Sequence, residues 1–371
     1  MSDAPPAAAQ PTDPADGPAV VPAAWASLDL PPGGEAEHTI VVSERYSGAS
    51  IRTPMHLIRG KADGPTVCVT AAVHGDEING TGTIRHLIRE RPFELERGTL
   101  VLVPVVNMPG FERHTRYLPD RRDLNRCFPG RADGSLASRL AHSFFSQVIR
   151  HCDWGIDLHT ASVRRTNFPN VRADMGRAGL AELARAFGAE LICSGRGPRG
   201  SLRRSATRAG CPTLILEAGE VWKVERSVVE FAVAGITNCL KHLGMVAGEP
   251  EKPAYQVEID VTKWVRADDG GFLEFHVGPG DTVSAGDVVA TSTSLTGAQQ
   301  STLVAAENGI VLGMTTMPSV APGDPVYHLA YPKKGTVRRV EKAVDAMEAG
   351  SLHERLRDDL ASSVHVTDSE G

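Results

Sequence analysis

Five short runs rich in β-branched residues mark the first two-thirds of the chain: Thr66 to Val73, Thr99 to Asn107, Trp154 to Thr160, Glu190 to Ser194 and Thr213 to Gly219. Each is followed by turn residues and then by a helical pattern. An alternation of this kind leaves few architectures open, the main one being a mostly parallel or mixed sheet with helices on its faces. The intervening spacing predicts helices over Asn79 to Arg91, Ser135 to His151, Gly176 to Phe187 and Val224 to Leu243. Gly244 stands where a helix C-terminal glycine is expected.

After Gly248 the periodicity changes, and short strands with Gly, Pro and Asp between them succeed one another. A domain boundary is expected near Pro250. GFLEFHVGPGDTVSAGDVV from Gly271 and GIVLGMTTMPSVAPGDPVYHL from Gly309 share one layout, which implies two similar hairpins and a small β-barrel or sandwich. The layout resembles biotinyl and lipoyl domains, but neither half has a lysine at a hairpin tip, so a carrier role is rejected. The expected organisation is a disordered leader over 1–25, an α/β catalytic domain over 26–249, a β domain over 250–335, and an accessory helix with a polar tail over 336–371.

Composition narrows the function classes. The chain has 371 residues, 41% hydrophobic and 23% charged, as a soluble globular protein does. No apolar run approaches the roughly 20 residues of a membrane helix. The first 24 residues lack a basic residue and a continuous apolar core, so no secretory signal is expected. Six cysteines without a CxxC pair suit reduced thiols and a cytoplasmic location. The net charge of −6 argues against nucleic-acid binding. Arginines nevertheless cluster: six against three acids from Phe111 to Arg131, and five with no acid from Leu191 to Leu216. A solvated surface explains any single one, whereas two such loops in an acidic protein favour a pocket for an anion. Arg164, Arg165, Arg199, Arg203 and Arg204 are its candidates.

The chemistry concentrates at strand ends, where open α/β sheets place their sites. VCVTAAVHGDEING ends an apolar strand in His74-Gly75-Asp76-Glu77, and WGIDLHT ends another in Asp157 and His159. His74, Glu77 and His159 together supply the three ligands of a catalytic zinc site with one open position. HxxE alone suits surface residues as well, and His159 alone reads as a hydrogen-bonded strand-end histidine. In Asp123-Leu124-Asn125-Arg126, the carboxylate can fix the tautomer of a metal-bound imidazole, and the amide and guanidinium can hold a substrate carboxylate. Asp123 and Asn125 also suit helix caps. TLILEAGE carries Glu217 to a strand end, where it can serve as general base to a metal-activated water. Glu220, beyond the strand end, reads as solvated.

Taken in order, HGDE, DLNR, DLHT and LEAG resemble the succinylglutamate desuccinylase and aspartoacylase family, related to the zinc carboxypeptidases, over about Pro54 to Gly244. The C-terminal β domain is similar to that of a bacterial branch. The resemblance implies a three-layer αβα domain with a mixed sheet, followed by the small β domain. It also implies one zinc per chain on His74, Glu77 and His159, with Glu217 as general base and later proton donor to the leaving amine. Asp123 would orient His74, Asn125 and Arg126 would hold a substrate carboxylate, and Arg116 would polarise the scissile carbonyl, with Arg121 or Arg122 as substitutes. The expected activity is zinc-dependent hydrolysis of the amide of a small anionic N-acyl amino acid, with ester cleavage chemically open. A peptide-cleaving carboxypeptidase and a catalytically silent binding protein are the alternatives. Self-association is a weak family expectation, and neither nucleic acid nor membrane is an expected partner.

Overall fold

The computed structural model describes residues 24–362 together with Val364 and Val366. The expected leader lies outside them up to residue 23. Trp25, at its end, is buried and donates Nε1–H to the Gln147 carbonyl at 2.7 Å.

Among the described residues, nine strands lie before residue 260: β1 (Glu35–Glu44), β2 (Ser50–Arg59), β3 (Ala62–Ala71), β4 (Arg97–Val103), β5 (Trp154–His159), β6 (Arg165–Ala173), β7 (Leu191–Ser194), β8 (Thr213–Gly219) and β9 (Val257–Ile259). Their helices are α1 (Asn79–Glu90), α2 (Met108–Glu112), α3 (Leu136–Gln147), α4 (Ala178–Ala186), α5 (Leu202–Arg208) and α6 (Arg226–His242). Strands β4, β3, β5 and β8 run parallel, flanked by antiparallel β2 and β6. The parallel strands are covered on both faces, which is why they read as continuous apolar runs. Their period of two still sorts the side chains. Leu100 and Leu102 of β4 enter one core with α1, α4 and α6, while Val101 and Val103 enter the other with α3 and α5. The result is the expected three-layer arrangement around a mixed sheet.

Several elements depart from the sequence expectation. Strands β1 and β2, paired as a hairpin, and helices α2 and α5 were not foreseen. Neither was β6, RTNFPNVRA, whose central Pro169 argues against an interior strand. Tertiary pairing overrides that local preference, and a register irregularity between Asn167 and Asn170 absorbs the proline. At β6 the sheet forks, because residues 170–173 pair with β7 and residues 165–167 pair with a strand of the C-terminal segment.

That segment carries β10 (Thr262–Arg266), β11 (Gly271–Phe275), β12 (Thr282–Val283), β13 (Val288–Thr293), β14 (Gln299–Val304), β15 (Gly309–Thr315), β16 (Ser319–Val320) and β17 (Pro325–Ala330). Each copy of the repeated layout folds as an antiparallel pair, β11 with β13 and β15 with β17. The shared Gly-Asp pairs close alike: Asp281, Asp287 and Asp324 accept the amides of Gly278, Ser284 and Ala321 at 2.7, 2.7 and 2.9 Å. A small sheet, β14-β13-β11-β16, packs over a core containing Tyr327 and Leu329. The other strands extend the first sheet in the order β6-β15-β17-β10, so thirteen strands among the described residues form one sheet. In place of one accessory helix there are two, α7 (Thr336–Asp345) and α8 (Leu352–Ala361), parted at Gly350 with φ +75°. No described helix is long and apolar enough to cross a membrane.

The seam between the two parts requires a glycine. A Cβ at Gly313 would lie 2.5 Å from Asn167 Oδ1 and 2.6 Å from the Thr166 carbonyl. Gly313→Ala is expected to cost about 1–3 kcal/mol, as overpacking against backbone does, and to lower the thermal midpoint by several degrees. An unchanged melt would show that the seam yields freely.

Candidate active site

The carboxyl ends of β3, β5 and β8 lie side by side. Beyond β3 the chain passes through Ala72, at φ +50°, into the His74–Glu77 turn and then α1. Gly75 is required there, since a Cβ would stand 2.0 Å from the Gly110 carbonyl carbon of α2. His159 ends β5 and is the ladder partner of Glu217 on β8. Three segments remote in sequence thus deliver these side chains to one rim.

His74 Nδ1 lies 2.6 Å from Glu77 Oε1, and His159 Nδ1 lies 2.8 Å from Glu77 Oε2. The ligand atoms of all three fall within 4.8 Å of one another, and all three residues are buried. The far side of each ring faces a second carboxylate. His74 Nε2 is 3.2 Å from Asp123 Oδ1, and His159 Nε2 is 2.8 Å from Asp157 Oδ2. Asp157 is fully buried and receives Thr70 Oγ1–H at 2.6 Å.

This arrangement leaves a charge problem whose solution is a cation. A neutral imidazole has one N–H. If it is spent on Asp123 or Asp157, the Nδ1 lone pair faces the Glu77 oxygens. Only protons or a metal ion can occupy the space between. Two imidazole nitrogens and one carboxylate oxygen, with carboxylates behind the rings, are the donor set that zinc accepts, so the residues fit the metal. The electrostatics show the same demand for positive charge. Burial opposes charge on His159, but Asp157 and Glu77 outweigh it and raise its pKa well above the usual value. Burial likewise opposes charge on His74, and Glu77 and Asp123 outweigh it. Against its own burial, Glu77 is held far below the ordinary carboxylate range by the two imidazoles. Asp123 is depressed in the same way by His74 and Arg116.

Around this centre lies a cleft of about 270 Å³, lined by His74, Glu77, Arg116, Asn125, Arg126, His159 and Glu217. Arg116 donates to Glu77 Oε1 at 3.3 Å and to Asp123 Oδ2 at 3.0 Å. The proposed substitutes sit elsewhere, since Arg122 pairs with Asp120 and neither Arg121 nor Arg122 lines the cleft. Asp123 stands where both tasks considered for it could be met, because the oxygen facing His74 also accepts the Asn125 amide at 2.8 Å and so caps the turn Leu124–Arg126. Asn125 Oδ1 is spent on the Leu202 amide at 2.8 Å, which leaves its NH₂ as the group to offer an anion. Arg126 lies beside it, its Nη1 donating to the Asn125 carbonyl at 2.7 Å. Glu217 faces the cleft, with Asn167 Nδ2 donating to Oε2 at 3.2 Å and Arg172 Nη1 at 3.8 Å from Oε1.

Of the arginines nominated from sequence, Arg165 and Arg203 line the cleft, whereas Arg164, Arg199 and Arg204 do not. Sequence reasoning missed Asn167 and Arg172, which belong to the unforeseen β6, and Trp264 and His328, which come from the C-terminal segment. A continuous register row places the latter two: Asn167 pairs with Gly313, Gly313 with His328, and His328 with Trp264. The Trp264 and His328 rings stack at 4.7 Å, and the Arg165 guanidinium sits 4.7 Å from the Trp264 centroid. Burial, with Arg172 and Arg165 nearby, pushes the His328 pKa down to about 4, so this wall is neutral at its imidazole. Five arginines against two glutamates line the cleft, which leaves it ready for an anion. A larger groove of about 1030 Å³ between β1 and α3 contains none of the motif residues.

Comparisons with known proteins agree with this geometry. The sequence profile of the succinylglutamate desuccinylase/aspartoacylase catalytic domain matches residues 63–243. The N-alpha-acetyl-L-2,4-diaminobutyric acid deacetylase of Halomonas elongata is 27% identical over 269 residues, 69% of this chain and 78% of that protein. A crystal structure of a succinylglutamate desuccinylase/aspartoacylase from Rhodobacter sphaeroides superposes with a TM-score of 0.71 at 28% identity, covering 82% of this chain and 98% of that one. The product-bound ectoine utilization protein EutE (DoeB) from Ruegeria pomeroyi shares the fold with a TM-score of 0.71 at 24% identity, over 82% of this chain and 97% of that one. With its motifs in order, its fold matched along most of its length and its catalytic segment matched by profile, the chain belongs to the succinylglutamate desuccinylase/aspartoacylase family.

Proposed function

We propose that the protein is a zinc-dependent deacylase that hydrolyses the amide bond of a small anionic N-acyl amino acid. The observation that carries this reading is the convergence of His74 Nδ1, His159 Nδ1 and the Glu77 carboxylate, with Glu217 on the neighbouring strand. The deacetylase relative from Halomonas elongata supports the same reaction class. Zinc held by His74, Glu77 and His159 would supply Lewis-acid chemistry, lowering the pKa of an attacking water to about 7.

The chain's own groups do the rest. Asp123 and Asp157 keep both rings turned with Nδ1 inward. Asn125, through its free NH₂, and Arg126 hold a substrate carboxylate, with Arg203 as a further cation in the cleft. Arg116 polarises the scissile carbonyl. Glu217 takes a proton from water and returns it to the leaving amine, and the Asn167 amide fixes its carboxylate in place. The free thiols of all six cysteines suit a cytoplasmic location.

A volume of about 270 Å³, closed on one side by Trp264 and His328, favours a small N-acyl amino acid over a peptide. A panel of N-acetyl and N-succinyl amino acids, assayed beside short peptides with metal analysis of the same sample, tests this. Amine release from an N-acyl amino acid with one zinc per chain is expected. Cleavage of peptides alone would establish the carboxypeptidase alternative, and stoichiometric zinc without any hydrolysis would establish a silent fold. Trp264→Ala is expected to raise KM about tenfold with kcat little changed, the signature of lost binding contact. An equal fall in kcat would place the ring closer to the reacting atoms.

A further inference from the structure

We propose that a second anion site, for a small multivalent oxyanion such as a phosphate or a di- or tricarboxylate, lies behind the catalytic cleft and shares Arg203 with it. The site is a basin of about 560 Å³ whose lining, among the described residues, includes Arg177, Arg196, Arg203, Arg204 and Arg208 and one acid, Asp174. It accounts for a sequence feature that the catalytic reading leaves unused. Of the five arginines between Leu191 and Leu216, only Arg203 lines the cleft, whereas four of them line the basin.

Arg203 is the observation that points to a ligand. It is 8% exposed, and its Nη1 is buried with no hydrogen-bond partner among the described residues. Its guanidinium lies close to Gly197, where a Cβ would stand 2.8 Å from Nη2 in a backbone at φ +78°. Burying a guanidinium without a paired carboxylate is unfavourable unless an anion compensates it. Burial and the neighbouring Arg172 pull its pKa to about 10, so it remains charged at neutral pH. Asp174 is drawn 3.7 Å from Arg177, leaving no carboxylate within ion-pair distance of Arg203 among the described residues. An oxyanion with two or more charges could bridge Arg203 to the exposed Arg196 and Arg208, using the fork geometry that suits both phosphate and carboxylate.

A shared guanidinium couples the two sites. An anion in the basin engages Arg203 and weakens the cleft's hold on an anionic substrate, so KM rises while kcat stays the same. This consequence rests on the deacylase reading; the binding itself does not.

Titration calorimetry of the holoprotein with inorganic phosphate, and separately with citrate, tests the site. Arg196 and Arg208 are exposed and outside the cleft, so Arg196→Gln/Arg208→Gln should fold and keep its basal activity. The expected result is one saturable site per chain for at least one anion, weakened about tenfold or more in the double variant. Which of the two anions binds identifies the source of the charge. In kinetics, the binding anion should raise KM in the unaltered protein and leave the variant's KM unmoved. Absence of saturable binding to both anions would overturn the proposal. Binding unchanged in the variant would also overturn it, because the anion would then sit in the catalytic cleft. Calorimetry decides the matter even if no N-acyl amino acid is hydrolysed.

Discussion

Glu217→Gln is expected to lower kcat by about 10²–10⁴-fold while leaving bound zinc and the thermal midpoint almost unchanged. The substitution keeps the volume of the side chain and an oxygen that can still accept the Asn167 Nδ2 hydrogen bond, which is 3.2 Å long in the native protein. What it removes is the capacity to take up and release a proton. Glu217 is also outside the His74, Glu77 and His159 cluster, so metal content should not follow activity. Single-substrate kinetics with metal analysis of the same preparation separates the two effects. A fully active variant would remove Glu217 from proton transfer.

His159→Ala should have the broader effect. It deletes one nitrogen donor, so both bound zinc and hydrolysis should fall to background, as they should in the native protein after chelation, with zinc restoring activity only in the latter. The variant also strands Asp157, which is fully buried and would keep Thr70 as its partner but lose the imidazole 2.8 Å away. Removing one member of a buried ion pair typically costs about 3–5 kcal/mol. A lower thermal midpoint should therefore accompany the loss of activity, whereas chelated native protein retains that ion pair. Full activity after complete metal removal would end the metallohydrolase reading.

The parts of the site that were legible in sequence are those carried by short segments. HGDE places His74 and Glu77 within a single turn, and DLHT and LEAG each need only a strand and its end, so apolar periodicity followed by a polar residue reveals them. The choice among Arg116, Arg121 and Arg122 could not be read this way. It depends on the turn in which the Leu118 amide donates to the Arg122 carbonyl at 3.1 Å, and on Asp120 holding Arg122. Asn167 and Arg172 were hidden because Pro169 disguises a strand that becomes stable only when neighbours pair with it on both sides. Trp264 and His328 were hidden for a different reason. Their placement is a matter of cross-strand register between segments roughly a hundred residues or more from β6, and no local pattern encodes register at that range.

The fork at β6 has a mechanical consequence. Because Arg165, Thr166 and Asn167 are laddered directly to Thr315, Met314 and Gly313, the C-terminal segment is tied to the catalytic sheet by main-chain hydrogen bonds. It cannot swing on a linker as an independent lobe would. The cleft beside the seam is therefore held by the sheet itself, and not by a hinge between lobes. Cutting the chain at the compositional break near Pro250 would not yield a smaller catalyst. It would leave β6 with an open flank beside Glu217, a bare strand edge of the kind that recruits other chains.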